Sequence, residues 1–242
     1  MRVAGDKSLS HRAGMLCALA SGVSTIDGFL ASEDCLCTLK AVEQLGATVE
    51  RQGERVRIRG VGGVFRAPPG PLDMGNSGTG IRLLAGLLAG HPFVSELTGD
   101  ESLRSRPMRR IAEPLMRMGA RVDLLGPNGC APLRISGGAL HGIEYPLPMA
   151  SAQVKSCILF AGLFAGATTT VIEKKPTRDH TERMLRAMGV DIRVDGLRVT
   201  CHRTGPGAPA LNARDWVIPS DFSSAAFWMV AAAILPDSCV TL

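Results

Sequence analysis

Gly75-Asn76-Ser77-Gly78-Thr79-Gly80-Ile81-Arg82 opens on small polar residues and runs directly into the apolar stretch 83–89, which stops at Gly90. Small polar residues ahead of an apolar run read as a helix start, and a glycine behind it as a helix stop. The same construction recurs on either side with a spacing of roughly 70 residues. Upstream it is Gly5-Asp6-Lys7-Ser8-Leu9-Ser10-His11-Arg12; downstream it is Met149-Ala150-Ser151-Ala152-Gln153 and then Pro219-Ser220-Asp221-Phe222-Ser223-Ser224. The first and third apolar runs close on Gly22 and Gly166. A second series keeps the period: Leu45-Gly46-Ala47-Thr48-Val49, Met118-Gly119-Ala120-Arg121-Val122 and Met188-Gly189-Val190-Asp191-Ile192 each read as a helix end followed by a strand. One supersecondary unit is therefore used three times, and a fourth begins near Pro219.

Periodicity and breakers predict helices over residues 8–20, 33–45, 78–89, 107–118, 152–165, 177–188 and 222–233. Strands are expected at 24–29, 48–51, 55–59, 93–97, 121–124, 133–135, 168–172, 191–194, 197–202 and 216–218, with tight turns such as Asp195-Gly196 between them. Each unit reads helix, strand, helix, hairpin. Its first helix is apolar on nearly every face, which implies burial on all sides. Its second carries charges, as in Glu113-Pro114-Leu115-Met116-Arg117, and should face solvent. The expected fold class is α/β (α+β), a domain of three pseudo-repeats with buried helices and outer sheets. The fourth opening follows a Pro/Gly-rich stretch at 204–209 and has no second helix, so the sequence reads as cut off at both ends.

A chain of 242 residues with 45% hydrophobic and 20% charged side chains has the make-up of a globular protein of one large domain or two small ones. Its formal charge of +5 admits two kinds of acidic partner, polynucleotides and small anions. Nucleic-acid binders cluster basic residues on one face and interleave aromatics for stacking. Here aromatics are 4% and the basic residues stand singly inside glycine/serine motifs, so small anions are expected and nucleic acid is not. Seven cysteines without a CxxC pair read as buried thiols of a reducing cytoplasm. Cys35-x-Cys37 alone lacks the further ligands of a zinc site, and no metal is expected. No signal peptide opens the sequence and its apolar runs are shorter than a membrane span, which points to a cytoplasmic protein off the membrane.

Function is expected at the recurring openings. The first turn of a helix carries unpaired N–H groups and the positive end of the dipole, which together suit an anion. Lys7, Arg12, Arg82, Arg106 and Arg178 lie in or just after the openings, so convergence of the repeats would build a receptor for more than one phosphate or carboxylate. Several residues admit a plainer reading. Ser8, Ser77 and Ser151 are good N-caps, and Asp34 in Ser32-Glu33-Asp34 suits a helix start as well as it suits a lysine partner. Arg82 falls in a first turn, where a cation opposes the dipole, which favours an anion over a support role for the turn. Arg104 reads as a surface residue, and His11 and His180 as structural histidines rather than bases.

Five motifs taken together resemble one family, the 3-phosphoshikimate 1-carboxyvinyltransferases, also called 5-enolpyruvylshikimate-3-phosphate synthases. They are the opening at 5–13, the glycine turn at 75–82, Gly99-Asp100-Glu101-Ser102-Leu103-Arg104-Ser105-Arg106-Pro107-Met108, Pro148-Met149-Ala150-Ser151-Ala152-Gln153-Val154-Lys155-Ser156 and Thr177-Arg178-Asp179-His180-Thr181-Glu182. They stand in the family's order over essentially the whole chain. The resemblance implies an enolpyruvyl transferase-like fold, with residues 1–218 as the first of two domains and 219–242 as the hinge and truncated beginning of the second. It implies closure on phosphoenolpyruvate and shikimate 3-phosphate in aromatic amino acid biosynthesis. In that reaction the 5-hydroxyl of shikimate 3-phosphate attacks C2 of phosphoenolpyruvate as C3 is protonated, and the tetrahedral intermediate expels phosphate.

By position, Lys7 resembles the catalytic lysine that bridges both substrates, with Gly78 and Arg106 on phosphoenolpyruvate. Ser8 and Arg12 resemble the groups on the shikimate ring and its carboxylate; Ser151, the backbone of Ala152, Gln153 and Arg178 resemble those on the 3-phosphate. No cofactor is implied, the full-length form is expected to be a monomer, and Gly78 implies sensitivity to glyphosate. Two positions depart from many relatives. Leu83 stands where proline is common after the arginine, and Ala152 where serine is common, which leaves only an N–H at 152. The family's acidic base, its Lys/Glu pair and further arginines lie beyond Leu242, so this stretch by itself should bind substrates without turning them over. Two rival readings are weaker. The sister transferase acting on UDP-N-acetylglucosamine should show Asn after the first lysine and a cysteine before Arg-Pro, where this chain has Ser8 and a loop 101–105 without cysteine. The other rival is a non-catalytic anion- or RNA-binding domain of the same repeats.

Overall fold

The structure is a computed structural model and describes residues 3–202 and 209–241. Most of the Pro/Gly-rich stretch at 204–209 lies outside the described residues. In the first repeat α1 (Lys7–Leu19) leads to β1 (Val23–Asp27), α2 (Glu33–Gln44) and the hairpin of β2 (Thr48–Gln52) and β3 (Arg55–Arg59). The second runs β4 (Leu72–Asp73), α3 (Gly78–Ala89), β5 (Val94–Thr98), the single turn α4 (Glu101–Arg104), α5 (Arg109–Arg117), β6 (Arg121–Leu124) and β7 (Leu133–Ser136). The third runs β8 (Glu144–Pro146), α6 (Ala152–Gly162), β9 (Thr169–Ile172), α7 (His180–Ala187), β10 (Ile192–Asp195) and β11 (Arg198–Cys201). Then follow β12 (Trp216–Val217) and α8 (Phe222–Ile234).

The helices begin at the recurring openings because a side chain caps each start. Asp6, Ser77, Ser151 and Asp221 accept hydrogen bonds from the N–H groups of Leu9, Gly80, Val154 and Ser223. The first cap is therefore Asp6, and Ser8 lies inside α1. The helices α2, α5 and α7 give way to strands at Gly46, Gly119 and Gly189, whose φ of +112°, +104° and +96° strains any residue with a Cβ. Three expected helices are shorter than their sequence patterns. α6 stops at Gly162 because Leu163, Phe164 and Ala165 tighten into i→i+3 bonds, so Gly166 lies past the end, as Gly22 lies past Ala20 at the end of α1. α5 starts at Arg109, since Pro107 bridges to Cys130 and the Met108 N–H is spent on Gly129 O. α7 starts at His180 and leaves Thr177 and Arg178 in the loop before it.

Each hairpin extends into a four-stranded sheet of one order: β12-β1-β3-β2, β4-β5-β7-β6 and β8-β9-β11-β10. The short outer strand pairs in parallel and the others antiparallel. β4 and β8, two and three residues long, are absent from the strands expected of the sequence. β12 pairs with β1 through Ile26↔Trp216, so the strand leading into the fourth unit completes the sheet of the first. In β3 the arginines 55, 57 and 59 face solvent while Val56 and Ile58 face inward, which makes this sheet an outer layer. α1, α3 and α6 form the interior; α3 alone buries Ile81, Leu83, Leu84, Leu87 and Leu88, each contributing roughly 1.5–3 kcal/mol. α8 repeats the apolar pattern yet leaves Phe222, Phe227, Val230 and Ile234 exposed. All seven cysteines are free thiols, five of them buried. Among the described residues no helix is long and apolar enough to cross a membrane.

Candidate functional site

With α1, α3 and α6 side by side, their first turns meet. Lys7, Gly78, Thr79, Arg82, Arg106 and Gln153 line a polar cleft of about 170 Å³, with Asp34 and Asn76 in its wall. Drug-sized ligands commonly take ~300–1,000 Å³, so this cleft suits a small anion. Three cations face a single carboxylate in it. Lys7 is the first residue of α1, where its charge opposes the helix dipole, and the Asp34 carboxylate in the first turn of α2 pairs with its Nζ. Of the two readings open to Asp34, the lysine partner is the one in the structure; Ser32 occupies the N-cap position of α2.

Among the described residues neither arginine has a carboxylate within ion-pair distance. Arg82 donates from Nη1 to Gln153 Oε1 at 2.7 Å and from Nη2 to Pro107 O at 3.4 Å. Arg106 donates from Nη2 to Asn76 Oδ1 and, at 3.4 Å, to Ser102 Oγ. Every one of these acceptors is neutral, so neither guanidinium is ion-paired where it is held; Asp100, on the far side of Asn76, feels the Arg106 charge without pairing with it. Burial lowers the Arg82 pKa, and the charges of Arg110 and Arg106 lower it further, a crowding that a bound anion would relieve. Gly78 lies against both groups: a Cβ there would stand 2.9 Å from Arg106 Nη1 and 3.2 Å from Arg82 Nη1. Gln153 completes the cleft by donating from Nε2 to Thr79 Oγ1 at 2.9 Å, which ties the start of α6 to that of α3.

Sequence reasoning did not single out Asn76, which lies in the cleft wall, or Asp100, which holds it. The Asp100 carboxylate accepts from Leu103 N–H at 2.7 Å and from Asn76 Nδ2 at 2.8 Å, which turns the Asn76 oxygen toward Arg106. The Leu103 N–H bond holds the Asp100 pKa below its usual range. The available signal was Asp100 ahead of a short helix and Asn76 between a glycine and a capping serine. Arg104 is exposed, as its sequence context suggested.

The remaining expected residues gather around Arg12, which is only 3% exposed. Its Nε donates to Thr181 Oγ1 at 2.7 Å, Nη2 to Ser156 Oγ at 2.8 Å and Nη1 to Ser8 O at 2.9 Å. A guanidinium carries five N–H groups, so Arg12 spends three inside the protein and keeps two. Burial lowers its pKa to about 10, while Glu182 and Asp6 act to raise it. These bonds join the N-terminal two turns of α1 and α6 to the first turn of α7. Ser151 caps α6 and Ala152 begins it. Arg178 is exposed and donates to Ser223 Oγ at 3.3 Å.

His11 is fully buried between Thr38 and Ser77, with Nδ1 2.7 Å from Thr38 Oγ1 and Nε2 3.1 Å from Ser77 Oγ. Burial pushes its pKa down from 6.5 to about 4, so it is a neutral strut between α1, α2 and the cap of α3. His180 is half-buried in the first turn of α7, and its pKa is also lowered, chiefly by burial. Since the folded state disfavours charging His11, its contribution to stability is complete above pH 6.5 and is lost as the pH falls toward about 4. That shift corresponds to a loss on the order of 3 kcal/mol. Urea unfolding at pH 7.5 and 4.5 should show it, with a His11→Asn chain losing correspondingly less between the two. Equal pH dependence in both chains would contradict the assignment.

The fold and cleft define a repeat-built α/β domain whose helix starts and guanidiniums converge on one polar cleft. A family model for EPSP synthase (3-phosphoshikimate 1-carboxyvinyltransferase) matches residues 1–242. The chain is 59% identical to a 3-phosphoshikimate 1-carboxyvinyltransferase of Akkermansia muciniphila over 251 aligned positions, covering 100% of this chain and 57% of the relative. It is 54% identical to the protein of the same name from Methylococcus capsulatus, covering 100% of this chain and 55% of that one. A solved EPSP synthase from Acinetobacter baumannii superposes with a TM-score of 0.89 at 50% identity, over 97% of this chain and 52% of its own. The chain belongs to the EPSP synthase family. It spans a little over half the length of the curated relatives it matches.

Proposed function

We propose that this chain binds phosphoenolpyruvate and shikimate 3-phosphate for transfer of the enolpyruvyl group to the 5-hydroxyl of the latter, with release of phosphate, in aromatic amino acid biosynthesis. The observation that carries this reading is the pair of guanidiniums without an ion-pair partner, Arg82 and Arg106, held by neutral acceptors beside Gly78. Both substrates are polyanions, so fixed cations lower the cost of bringing them together before any bond forms. In this reading Arg106 grips phosphoenolpyruvate, Gly78 gives it room, and the Lys7 ammonium, aligned by Asp34, stands between the two ligands as the catalytic cation. Ser8 and the two remaining N–H groups of Arg12 serve the shikimate ring and carboxylate. Ser151, the Ala152 N–H and Arg178 serve the 3-phosphate. Gln153 takes a wider part than the sequence suggested, because its amide already orients Arg82 in the phosphoenolpyruvate cleft.

The same reading places residues 1–218 in one domain, with 219 onward as hinge and beginning of another. Two features support it. The segments entering α1 and α8 run side by side, Asp6 N–H bonding Pro219 O at 2.8 Å and Asp221 N–H bonding Ala4 O at 2.9 Å. α8 also exposes the apolar face that the equivalent helices bury.

Calorimetric titration of the chain with shikimate 3-phosphate and with shikimate tests the assignment. The phosphorylated ligand should bind more tightly. Because a charge-assisted hydrogen bond contributes about 1.5–3 kcal/mol, Arg178→Ala should weaken it at least about tenfold and leave shikimate unaffected. Equal binding of the two ligands by the wild-type chain would overturn the reading.

A further inference from the structure

We propose that the buried charges of Lys155, Glu173, Glu182 and Arg12 position the phosphate-binding side of this site, with Thr177 transmitting their order to Arg178. The inference rests on the substrate reading above. The Lys155 side chain is 1% exposed, and its Nζ lies 3.0 Å from Glu173 Oε2 and 2.6 Å from Glu182 Oε1, both carboxylates being buried as well. Two carboxylates against one ammonium leave a negative charge inside, and Glu182 Oε2 has no hydrogen-bond partner among the described residues. The Arg12 guanidinium, held by Thr181 next to Glu182, offsets it at longer range than an ion pair, and Glu182 is the strongest charge acting to keep Arg12 protonated. Two cations and two anions thus sum to zero within the core.

Stability alone is a poor account of such a set, because apolar residues of similar volume commonly hold a core at least as well as buried ion pairs do. Placement is a better account. Arg12, Lys155 and Glu182 come from α1, α6 and α7, whose starts lie at or just after Ser8, Ser151 with Ala152, and Arg178, while Glu173 directly follows β9. Glu173 Oε1 also accepts from Thr177 Oγ1 at 2.5 Å, one residue before Arg178. Beyond Arg178, Thr181 Oγ1 is held by Arg12 Nε and lies 2.7 Å from Ser156 Oγ. The loop is therefore pinned on both sides of Arg178, whose own side chain makes one 3.3 Å bond, to Ser223. An arginine gripping phosphate gives up rotamer freedom, and a backbone already fixed on either side removes the further cost of ordering the loop.

Two variants test this. Thr177→Val cuts the link and leaves the buried charges intact. Lys155→Met/Glu173→Gln removes one opposite pair and leaves Arg12 balanced by Glu182. Both chains should fold by circular dichroism and keep wild-type affinity for shikimate, while affinity for shikimate 3-phosphate falls about tenfold, so that the preference for the phosphorylated ligand collapses. An unchanged preference in folded variants, with the wild type discriminating, overturns this inference and leaves the substrate reading standing. A wild-type chain that does not discriminate overturns both. If the double variant does not fold, Thr177→Val decides alone.

Discussion

Lys155→Met alone is expected to lower the unfolding free energy by about 3–5 kcal/mol, a large part of the 5–15 kcal/mol typical of a domain. The substitution keeps the apolar stem of the side chain and deletes only the ammonium, so packing around α6 is little changed. It leaves the Glu173 and Glu182 carboxylates buried with no ion-pair partner, and Arg12 acts on Glu182 only from beyond ion-pair distance. Breaking a buried pair by removing one partner costs more than the pair ever contributed, because the other partner stays desolvated. Urea unfolding with an unchanged m-value would read the loss as a lower midpoint. The net-neutral Lys155→Met/Glu173→Gln chain should recover much of it. A single variant less than about 1 kcal/mol below wild type would show that water reaches the carboxylates and that the network is not a closed one.

Gly78→Ala is expected to separate ligand binding from stability. Gly78 opens α3, where alanine is the better helix former by up to about 1 kcal/mol, and its new methyl would press on the ends of two flexible side chains rather than on backbone. The melting temperature should therefore stay level or rise. The guanidiniums of Arg106 and Arg82 must move a few tenths of an ångström or more to admit the methyl, and the cleft they shape becomes smaller. On the proposed function, affinities for phosphoenolpyruvate and for glyphosate should both fall, the former on the order of tenfold, since the displaced guanidiniums no longer meet an anion at their best distance. Titrations of both ligands in the presence of shikimate 3-phosphate, alongside a thermal melt of the same protein, read the two effects. A destabilised chain with unchanged affinities would mean that the glycine serves packing alone.

Much of the local structure was legible because its causes are local. The bounds of α3 follow from the Ser77 cap and the stop at Gly90, and the turns at Gly46, Gly119 and Gly189 follow from a backbone that only glycine adopts at little cost. The cations of the candidate site could be read as well, since each lies within a few residues of a helix start. Apart from Asp34, open as a partner of Lys7, their partners could not. Nothing near Arg12 in the chain announces Thr181 or Ser156, 169 and 144 residues away. Nothing in the motif around Lys155 shows that its ammonium is buried between two glutamates. The departures have the same origin: Thr177 left its expected helix because Glu173 holds it, and β4 and β8 are strands only because β5 and β9 lie alongside. The sequence by itself determined the repeated unit, its caps and turns, and the residues that bring positive charge to the helix starts, all of which depend on interactions within about one helical turn or one hairpin. Only the tertiary structure decided that β12 closes the sheet of the first repeat, that Asp34 and not a helix cap is the companion of Lys7, and which cations face the cleft and which lie buried, because parallel pairing and charge burial are settled between elements far apart in the chain.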